Sequence, residues 1–565
     1  MPVLAWFVSL ADPALAASVT ALRTTLDRSG FTDAGDVPAG EPAYNAALDG
    51  ADAVVVWTDR ALPRPLADRL LSGQVVSVLA GPTLEQADPD GRLAEAAGLV
   101  IGPASGVHDI RVRAGRDAPL LADRLLDHAH HGQAHLGSHS HVSDRVVRVD
   151  KARDDVACLL TAHLGLAAHP VATWRPLSRR GGVLAWTLGG RPDSVAGRSA
   201  VRLLVLALRE VLGVGQSAAV RVGLLGYGAI GHEHNRAVHT VPGLTLAAVC
   251  DTSAQRLSAA GTHAPGVRTY ACARDLLDDD TVDLLVVSTP PSTHAQWASR
   301  ALAAGKHVVV EKPFAIRTEE ADAILAEAAA GGLLAAVYQN RRFDPDHQAI
   351  RRAVVAGRLG EVFHLEAFVG GYGHPCNLWH SDAEVSGGAF YDWGAHVLDQ
   401  ILDLLPGDVE YVTAAEQKRV WLDVTNADHS RVTVQLASGA EATFVYSDLA
   451  AALKPRWYVL GTHGAVVGHW RTEKVVSRND IGTLTEDVLA PADSPPLLDL
   501  HAPDGSVTRL ATPPAPPYAF HAELADRLQL GLPMSVTGEQ SRRVLAVMEA
   551  ASASARDGGR PVTPR

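Results

Sequence analysis

Residues 220–231 read Val220-Arg221-Val222-Gly223-Leu224-Leu225-Gly226-Tyr227-Gly228-Ala229-Ile230-Gly231. The apolar half predicts a buried strand, and the glycines that follow have the spacing GxGxxG in front of a helical segment. Asp251 stands twenty residues after Gly231, at the end of the next predicted strand, Thr245–Cys250. Glycines let the backbone approach a pyrophosphate, the helix N-terminus supplies N–H donors, and a carboxylate accepts from ribose hydroxyls. The segment therefore predicts a dinucleotide-binding βα unit.

Asp251 also bears on which dinucleotide is bound. A 2′-phosphate would bring negative charge against this carboxylate, so the sequence favours NAD. Arg256, five residues further on, is placed to neutralise part of a phosphate, so NADP is not excluded.

The winding continues outward from this unit in both directions. Further apolar strands at Leu284–Val287 and His307–Val310 predict a doubly wound Rossmann domain over residues 216–338. Alternating segments after Tyr338 predict a C-terminal α+β domain with a large mixed sheet over residues 339–565, with Pro491–Pro517 as an extended surface excursion. Residues 1–215 alternate apolar strands and helices, which predicts a separate N-terminal α/β domain.

Composition limits the classes of function. The 565 residues are 47% hydrophobic and carry a net charge of −13, which disfavours nucleic acid as a partner. No apolar run approaches the length of a membrane span, and the signal-peptidase-like triplet Ala14-Leu15-Ala16 lacks a basic segment before it. Cys158, Cys250, Cys272 and Cys376 form no CxxC pair, so we expect free thiols and a cytoplasmic protein.

Two further segments leave apolar strands at the edge where such sheets bind ligands. The first runs from Ser288 through Thr289 and Pro290 to His294. The second is Glu311-Lys312-Pro313, in which the proline restricts the chain direction, so the Lys312 ammonium can point into the crevice. A solvated surface lysine is the alternative interpretation.

The segment Gly387–Asp399 combines a glycine pair with Asp392 and His396. In a helix, four-residue spacing places these two side chains on one face, where a carboxylate can orient an imidazole for proton transfer. Taken alone, the pattern also fits a capping Asp and a packed core His.

From Val220 to about Pro561 the chain resembles the Gfo/Idh/MocA family, the glucose-fructose oxidoreductase and inositol dehydrogenase-like enzymes. The resemblance rests on the glycine motif, on Ala303–His307 leading into Glu311-Lys312-Pro313, and on Gly387–His396. The segment Tyr338–Asp344 is most similar to the scyllo-inositol dehydrogenase-like branch. The resemblance implies an NAD(P)-dependent oxidoreductase that acts on a cyclic polyol, a sugar or a sugar derivative.

The resemblance also implies roles for particular residues. Lys312, Asp392 and His396 would be catalytic, and Asn340 and His294 would line the nicotinamide and substrate pocket. The expected cofactor-binding residues are Gly226, Tyr227, Gly228, Ala229, Ile230, Gly231, Asp251, Arg256, Thr289, Pro290, His294, Glu311 and Lys312. Many relatives carry an arginine after the tryptophan of the substrate segment, whereas this chain has Trp379-His380, so a substrate contact there is expected to differ.

The expected reaction moves hydride between a nicotinamide and a ring carbon of a polyol, sugar or glycoside, and the expected assembly is a homo-oligomer formed through the C-terminal sheet. Lys312 would hydrogen-bond the reacting oxygen, and His396 would accept or relay its proton; the sequence leaves open which of them is the immediate base. Two alternatives stay open: redox-assisted glycoside cleavage with retained NAD, and a non-enzymatic sugar- or dinucleotide-sensing regulator.

The N-terminal region resembles the end of a trehalose-utilisation ThuA-like domain, which has a flavodoxin-like, class I glutamine-amidotransferase-like fold. The match lies in Leu166–Leu212, but Gly189-Gly190 stands where relatives carry Gly-His, and there is no GxCxG nucleophile elbow. We therefore expect a degenerate domain used for packing or assembly.

A histidine-rich segment precedes that match. Imidazoles three and four residues apart can ligate zinc, but the neighbouring glycines favour a solvated loop, so no metal site is expected. The histidines concerned are His128, His130, His131, His135, His139 and His141.

Overall fold

The chain divides into two compact units in a computed structural model. One unit comprises Met1–Ala219, Thr240–Gly243 and Glu523–Pro533, and the other comprises Val220–His239, Leu244–Ala522 and Met534–Arg565. The structure describes residues 1–37, 46–88, 90–114, 140–151, 153–164, 167–192, 195, 197–215, 217–375, 379–479, 482–490, 494–512 and 517–565.

The first unit is built on a nine-stranded sheet. Its strands are β1 (Val3–Ser9), β2 (Thr32–Asp36), β3 (Ala53–Thr58), β4 (Val76–Ala80), β5 (Leu99–Ala114), β6 (Ser140–Lys151), β7 (Ala157–Leu164), β8 (Ala167–Pro176) and β9 (Gly182–Trp186). Their order is β2-β1-β3-β4-β9-β8-β7-β5-β6. The segment from β2 to β9 is parallel, and the remaining pairs are antiparallel.

Helices connect the parallel strands of this unit. They are α1 (Pro13–Arg28), α2 (Arg64–Leu70), α3 (Thr83–Gln86), α4 (Arg92–Ala97) and α5 (Arg198–Val211). Asp12 caps α1 by accepting from the Ala14 N–H, and Pro13 occupies the first turn, where no N–H is needed. Every residue of β3 is buried, as expected for a parallel strand covered on both faces.

The indole of Trp57 fills the space just beyond the carboxyl ends of β4 and β9. It is 1% exposed, and its Nε1 donates to the Gly189 carbonyl at 3.2 Å. A Cβ added at Gly81 or Gly189 would come within 2.1 or 2.3 Å of this ring. A buried side chain therefore occupies the edge where open α/β sheets usually bind ligands.

The second unit begins with a six-stranded parallel sheet of order β12-β11-β10-β13-β14-β15, the doubly wound order 3-2-1-4-5-6. The strands are β10 (Val220–Leu225), β11 (Leu244–Cys250), β12 (Arg268–Tyr270), β13 (Leu284–Val287), β14 (His307–Val310) and β15 (Ala335–Val337). The helices between them are α6 (Ala229–Thr240), α7 (Ala254–His263), α8 (Ala273–Leu277), α9 (His294–Ala303) and α10 (Thr318–Gly331). The predicted Rossmann winding is confirmed.

A second, eight-stranded mixed sheet follows, of order β17-β18-β19-β16-β20-β21-β24-β25, and only β16 and β19 pair in parallel. Its strands are β16 (Val362–Gly370), β17 (Val409–Gln417), β18 (His429–Leu436), β19 (Glu441–Ser447), β20 (Trp457–Gly461), β21 (Gly464–His469), β24 (Leu497–His501) and β25 (Val507–Arg509). β22 (Thr472–Asn479) and β23 (Gly482–Leu489) form a separate hairpin. The excursion expected over Pro491–Pro517 thus contributes two strands to the sheet, because β24 carries alternating buried leucines.

The C-terminal region contributes five helices to the described part of the chain. They are α11 (Pro345–Val355), α12 (Ala383–Ser386), α13 (Trp393–Leu404), α14 (Ala519–Leu530) and α15 (Gly538–Arg556), with 3₁₀ turns at Pro291–Thr293, Asn340–Phe343, Trp379–Ser381 and Ala389–Tyr391. Most of α14 falls in the first unit. α13 contacts β16 and β19, and α15 contacts β17. One apolar core runs through both sheets of the second unit, and it holds the ends of β14 and the start of α13 at a fixed separation.

Candidate active site

The glycine turn between β10 and α6 has the shape that a dinucleotide requires. Gly226 has a φ of 97°, and a Cβ there would meet the Ser288 carbonyl oxygen at 2.5 Å. A Cβ on Gly231 would meet the Gly226 carbonyl oxygen at 2.3 Å, so α6 packs directly against the turn. A Cβ placed on Gly228, by contrast, would have no neighbour closer than 4.0 Å. This leaves room for a pyrophosphate at the helix N-terminus. The motif lies on this turn and the first turn of α6 and consists of Gly226, Tyr227, Gly228, Ala229, Ile230 and Gly231.

Asp251 lies directly beyond β11 and braces the glycine turn. Its Oδ2 accepts from the Tyr227 N–H at 2.7 Å, and its Oδ1 accepts from the Ser253 N–H at 2.8 Å. Arg256 approaches the same carboxylate at 3.5 Å with a side chain that is 57% exposed. Because Arg256 is a second donor to Oδ2, Oδ1 is the oxygen that keeps a lone pair available for a ribose hydroxyl. The structure therefore brings together the acid and the arginine that were predicted to compete over cofactor choice.

The loop after β13 is fastened to the loop after β14. The Thr289 and Thr293 hydroxyls lie 2.7 Å apart, and Thr293 donates to the Pro290 carbonyl at 2.8 Å. His294 is buried, with its ring nitrogens 2.8 Å from the carbonyl oxygens of Pro313 and Thr289. Burial lowers the pKa of His294. The structure thus places His294 behind the cleft wall, where it links the backbones of Thr289 and Pro313, and not in the lining as expected.

Lys312 and Asp392 meet in a cleft at the carboxyl edge of the parallel sheet. Lys312 Nζ donates to Asp392 Oδ1 at 2.6 Å, and the side chains are 20% and 41% exposed. Burial opposes ionisation of Asp392, but the Lys312 ammonium outweighs it and holds the pKa of this carboxyl below its ordinary value. The cleft is lined by Pro291, Lys312, Pro313, Trp379, His380, Ser386, Tyr391 and Asp392.

Two neutral imidazoles flank this ion pair. His396, in the first turn of α13, is 7% exposed, and burial, with the Lys312 charge second, holds its pKa well below the usual value. His380 stacks on Trp379 with ring centroids 3.6 Å apart, and burial also lowers its pKa. In each ring Nδ1 is buried without a hydrogen-bond partner among the described residues. Both imidazoles are therefore neutral at neutral pH, and each can accept a hydrogen bond through one ring nitrogen.

Glu311 has a different environment from the one expected of a cofactor ligand. Its Oε1 lies 2.8 Å from His234 Nε2, and its Oε2 accepts from the Lys312 N–H at 3.2 Å. His234 Nδ1 in turn lies 2.9 Å from His521 Nε2. All three side chains are buried. These hydrogen-bonded side chains support the backbone of Lys312. A histidine at position 234, one turn after Gly231, could have suggested such a contact from the sequence, whereas nothing in the sequence marked His521.

Two tyrosines lie at the sides of the site. Asn340, the predicted substrate residue, lies near the Tyr338 hydroxyl and slightly offsets the effect of burial on its pKa. Tyr446, on β19, donates to Asp448 Oδ1 at 2.8 Å. Burial raises the pKa of both hydroxyls, and the charge of Asp392 contributes to the shift at Tyr446. Sequence reasoning missed Tyr446 because an alternating strand gives no sign of which residue faces a cleft.

Other expectations concern metal, thiols and membranes. His128, His130, His131, His135 and His139 lie outside the described residues, and the side chain of His141 is not described either. Within the described ranges, no group of three or more His, Cys, Asp or Glu could hold a metal ion. Cys158, Cys250 and Cys272 form no disulfide among the described residues, and Cys376 lies outside them. In the described part of the chain, no helix has the length and apolarity needed to cross a bilayer.

Comparison with protein families agrees with this geometry. A family model described as "Oxidoreductase family, NAD-binding Rossmann fold" matches residues 220–339. A second, described as "GFO/IDH/MocA C-terminal domain", matches residues 347–467. Together they cover the parallel sheet and the mixed sheet from β16 into β21, but not β24 and β25.

Curated relatives match the same region. An uncharacterized oxidoreductase of Schizosaccharomyces pombe is 30% identical over 36% of this chain, and the chain spans only 56% of that relative. The uncharacterized oxidoreductase YdgJ of Escherichia coli is 31% identical over 44% of this chain and 70% of the relative. The scyllo-inositol 2-dehydrogenase (NADP(+)) IolW of Bacillus subtilis is 23% identical over 60% of this chain and 94% of the relative.

A solved structure gives the same result for the fold. GenD2 from gentamicin A biosynthesis, in complex with NAD, superposes with a TM-score of 0.51 at 25% identity. The match covers 62% of this chain and 97% of GenD2. The NAD bound in GenD2 and the open space at Gly228 are both consistent with dinucleotide binding at the glycine turn.

Proposed function

Because the chain belongs to the Gfo/Idh/MocA family of NAD-binding oxidoreductases, we propose that it transfers hydride between NAD and a ring hydroxyl or ketone of a cyclic polyol, sugar or glycoside. The observation that carries this proposal is the 2.6 Å pair of Lys312 and Asp392 in a cleft beside the glycine turn. Bound NAD supplies the hydride acceptor or donor at its nicotinamide ring.

Lys312 provides the hydrogen-bond donor for the reacting oxygen. Its ammonium carries three N–H donors, and Asp392 uses one of them, so two remain for substrate. The depressed pKa of Asp392 keeps this carboxylate ionised at neutral pH, where it orients the lysine. Positive charge at the reacting oxygen stabilises alkoxide character as the ring carbon is oxidised.

His396 provides a proton acceptor behind the pair. Its imidazole is neutral at neutral pH and needs no prior deprotonation. Burial also makes His396 a weak base, so we expect it to relay the proton of the substrate hydroxyl and not to retain it. His380 occupies the position where many relatives have arginine, and there it offers substrate a neutral ring nitrogen in place of a fixed positive charge. This difference favours a neutral polyol or sugar over an acidic one.

The substrate class is supported by the relatives as well as by the cleft. IolW is named for scyllo-inositol, a cyclic polyol, although it is 23% identical and its name refers to NADP(+). The cleft offers hydrogen-bonding groups beside aromatic rings, which suits a hydroxylated ring with apolar faces.

A turnover screen tests the proposal. The purified protein is incubated with NAD or NADP and a panel of inositols, free sugars and glycosides, and reduced cofactor is followed by absorbance. Oxidation of at least one ring hydroxyl with NADH formed in equal amount is expected. Glycoside cleavage without net NADH would indicate the redox-assisted reaction, and NAD binding without turnover of any compound would favour a sensor.

A matched pair of glycine variants tests the cofactor site. Gly231→Ala places a Cβ 2.3 Å from the Gly226 carbonyl oxygen, so it should displace the turn and weaken NAD binding by at least about tenfold. Gly261→Ala is the control, because this helical glycine has nothing within 4 Å of its Cβ position. Equal NAD affinity of the two variants by calorimetry would contradict the assignment of the turn.

We also propose that the first unit is a ThuA-like domain of flavodoxin-like fold that has no active site of its own. The parallel strands β2-β1-β3-β4-β9 follow the order 2-1-3-4-5 of that fold. Trp57 occupies the carboxyl edge, where such a domain would bind a ligand. None of the residues proposed for hydride transfer precedes Val220, so Thr83→Val, a change at that edge, should leave kcat for hydride transfer unaltered. A kcat decrease above about tenfold at unchanged stability would show that the first unit contributes to that reaction.

A further inference from the structure

Five aromatic side chains form two groups on neighbouring segments of the second unit, and we call them the aromatic rim. Trp379 and His380 line the cleft of Lys312 and form the stacked pair described above. Trp421 forms T-shaped contacts with His374, at 4.9 Å, and with Tyr372, at 6.1 Å. The aromatic rim therefore consists of Tyr372, His374, Trp379, His380 and Trp421.

The loop that carries Trp421 is rigidly built. Asp428 is fully buried, and its carboxylate accepts from Lys418 Nζ at 2.8 Å and from the Val420 N–H at 2.7 Å. Burial raises the pKa of this carboxyl, but these donors outweigh that effect and lower it to about 2. Asn426 then joins the loop to the cleft segment, because its Nδ2 donates to the His380 carbonyl at 2.7 Å and its backbone N–H donates to Ser381. The two ring groups thus share one support.

The Trp421 group is also linked to the catalytic pair. Trp421 Nε1 donates to the Asp448 carbonyl at 3.4 Å, and the carboxylate of Asp448 accepts from Tyr446. Burial is the main reason that the pKa values of Tyr446 and Asp448 are raised, and the charge of Asp392 adds to both shifts. The rim is therefore an extension of the cleft and not a separate surface.

Two rings of the rim, on segments beside the Trp421 loop, are exposed. Tyr372 is 62% exposed, Trp379 37% and the adjacent Leu422 76%. Apolar side chains held in fixed, exposed positions beside a binding cleft normally meet a ligand. The rim also has a polar edge, because His374 Nε2 lies 2.9 Å from Asp423 Oδ2. Aromatic faces with a hydrogen-bonding edge suit a ring that has apolar faces and polar substituents.

We propose that the aromatic rim is a second-ring subsite, which binds the aglycone or neighbouring sugar ring of a glycoside while Lys312 and Asp392 hold the ring that is oxidised. The inference rests on the proposed function and narrows its substrate class from free polyols to glycosides. A single cyclic polyol would occupy the cleft at Lys312 and leave Tyr372 and Trp421 uncovered. The second ring supplies the apolar surface that covers them.

Two glycosides with the same sugar ring test the proposal. Phenyl β-D-glucopyranoside and methyl β-D-glucopyranoside are compared on the NAD-loaded full-length protein, by competition binding with saturation-transfer NMR and by kcat/KM. The parent should favour the phenyl glycoside by about tenfold, and Trp421→Ala should remove most of that preference. Trp297→Ala is the matched control, because this tryptophan packs beneath Arg300 on α9 and should leave the preference intact.

The outcomes separate this inference from the proposed function. No preference in the parent, or a preference that survives both Trp421→Ala and Tyr372→Ala, would overturn the subsite. Tyr372→Ala serves as the second variant because its exposed side chain makes misfolding improbable. A change of oligomeric state in light scattering with the preference unchanged would assign the rim to a subunit interface. Phenyl-selective binding without any turnover would retain the subsite and contradict the oxidoreductase reaction.

Discussion

Replacing Lys312 by methionine separates the catalytic role of the Lys312–Asp392 pair from its structural role. Methionine keeps an unbranched chain but removes the ammonium that lies 2.6 Å from Asp392. The side chains of the pair are 20% and 41% exposed, so the ion pair contributes only about 0–1 kcal/mol to the free energy of unfolding. Loss of a group that acts on the reacting oxygen should lower kcat by about 10²–10⁴, which is about 3–5 kcal/mol of activation free energy.

The same substitution changes Asp392. The lysine is what keeps the pKa of this carboxyl below its ordinary value, and burial acts in the opposite direction. Without Lys312, the pKa of Asp392 should therefore rise. A carboxyl whose pKa is lower in the folded than in the unfolded state stabilises the fold at pH values above its unfolded-state pKa, and this contribution is lost as the pH falls. Lys312→Met should therefore also remove the small, pH-dependent part of the stability that this pair provides.

Three measurements on one preparation decide the outcome. They are kcat for the best substrate of the turnover screen, NAD affinity by calorimetry and Tm by calorimetric scanning. Lys454→Met is the matched control, since Lys454 is 52% exposed and pairs with Glu366 outside the cleft. A kcat within about threefold of the parent would refute the assignment of Lys312 as the donor to the reacting oxygen. A loss of NAD affinity as large as the loss of kcat would place its role in cofactor binding.

Asp251→Ser should weaken NAD binding and improve NADP binding relative to the parent, because it removes both the ribose acceptor and the charge that repels a 2′-phosphate. A parent protein that already prefers NADP in paired titrations would contradict the role assigned to Asp251. His396→Ala should lower kcat by about 10²–10⁴ and alter the pH profile while NAD binding persists, whereas an unchanged rate and profile would make His396 a packing residue. Burial lowers the pKa of His294, His396 and His521. Below about pH 6.5 these imidazoles therefore take up protons in the unfolded chain but not in the folded one. Tm should accordingly fall as the pH is lowered from about 6.5 to 5. Asp344, whose pKa burial raises to about 6, acts in the opposite direction, and a Tm that stays flat or rises over this range would show that the imidazoles do not dominate.

The sequence alone determined the features that depend on local pattern. The strand–glycine–helix segment at Val220–Gly231 fixed the Rossmann unit, since turn geometry and helix packing at glycine are decided by residues only a few positions apart. Asp251 and Lys312 follow apolar strands of a parallel sheet, so their placement at the carboxyl edge follows from strand direction. The segment around Asp392 and His396 was likewise recognisable, but the helix predicted to hold both begins at Trp393, so His396 lies in its first turn and Asp392 stands just before it.

Only the tertiary structure decided which side chains these residues meet. His521 reaches His234 from a helix nearly three hundred residues later in the chain. Tyr446, on a strand of the second sheet, is near enough to Asp392 for that charge to affect its pKa, and Trp421 joins the cleft through a loop held by Asp428. His294 is the clearest example of what the sequence could not predict. Its place in the segment that follows β13 suggested a pocket-lining residue, whereas in the structure it is buried against two backbone carbonyls and supports the loop. Periodicity and turn chemistry act over a few residues, but the partner of a buried polar group is set by how distant elements pack, and one sequence contains no record of that packing.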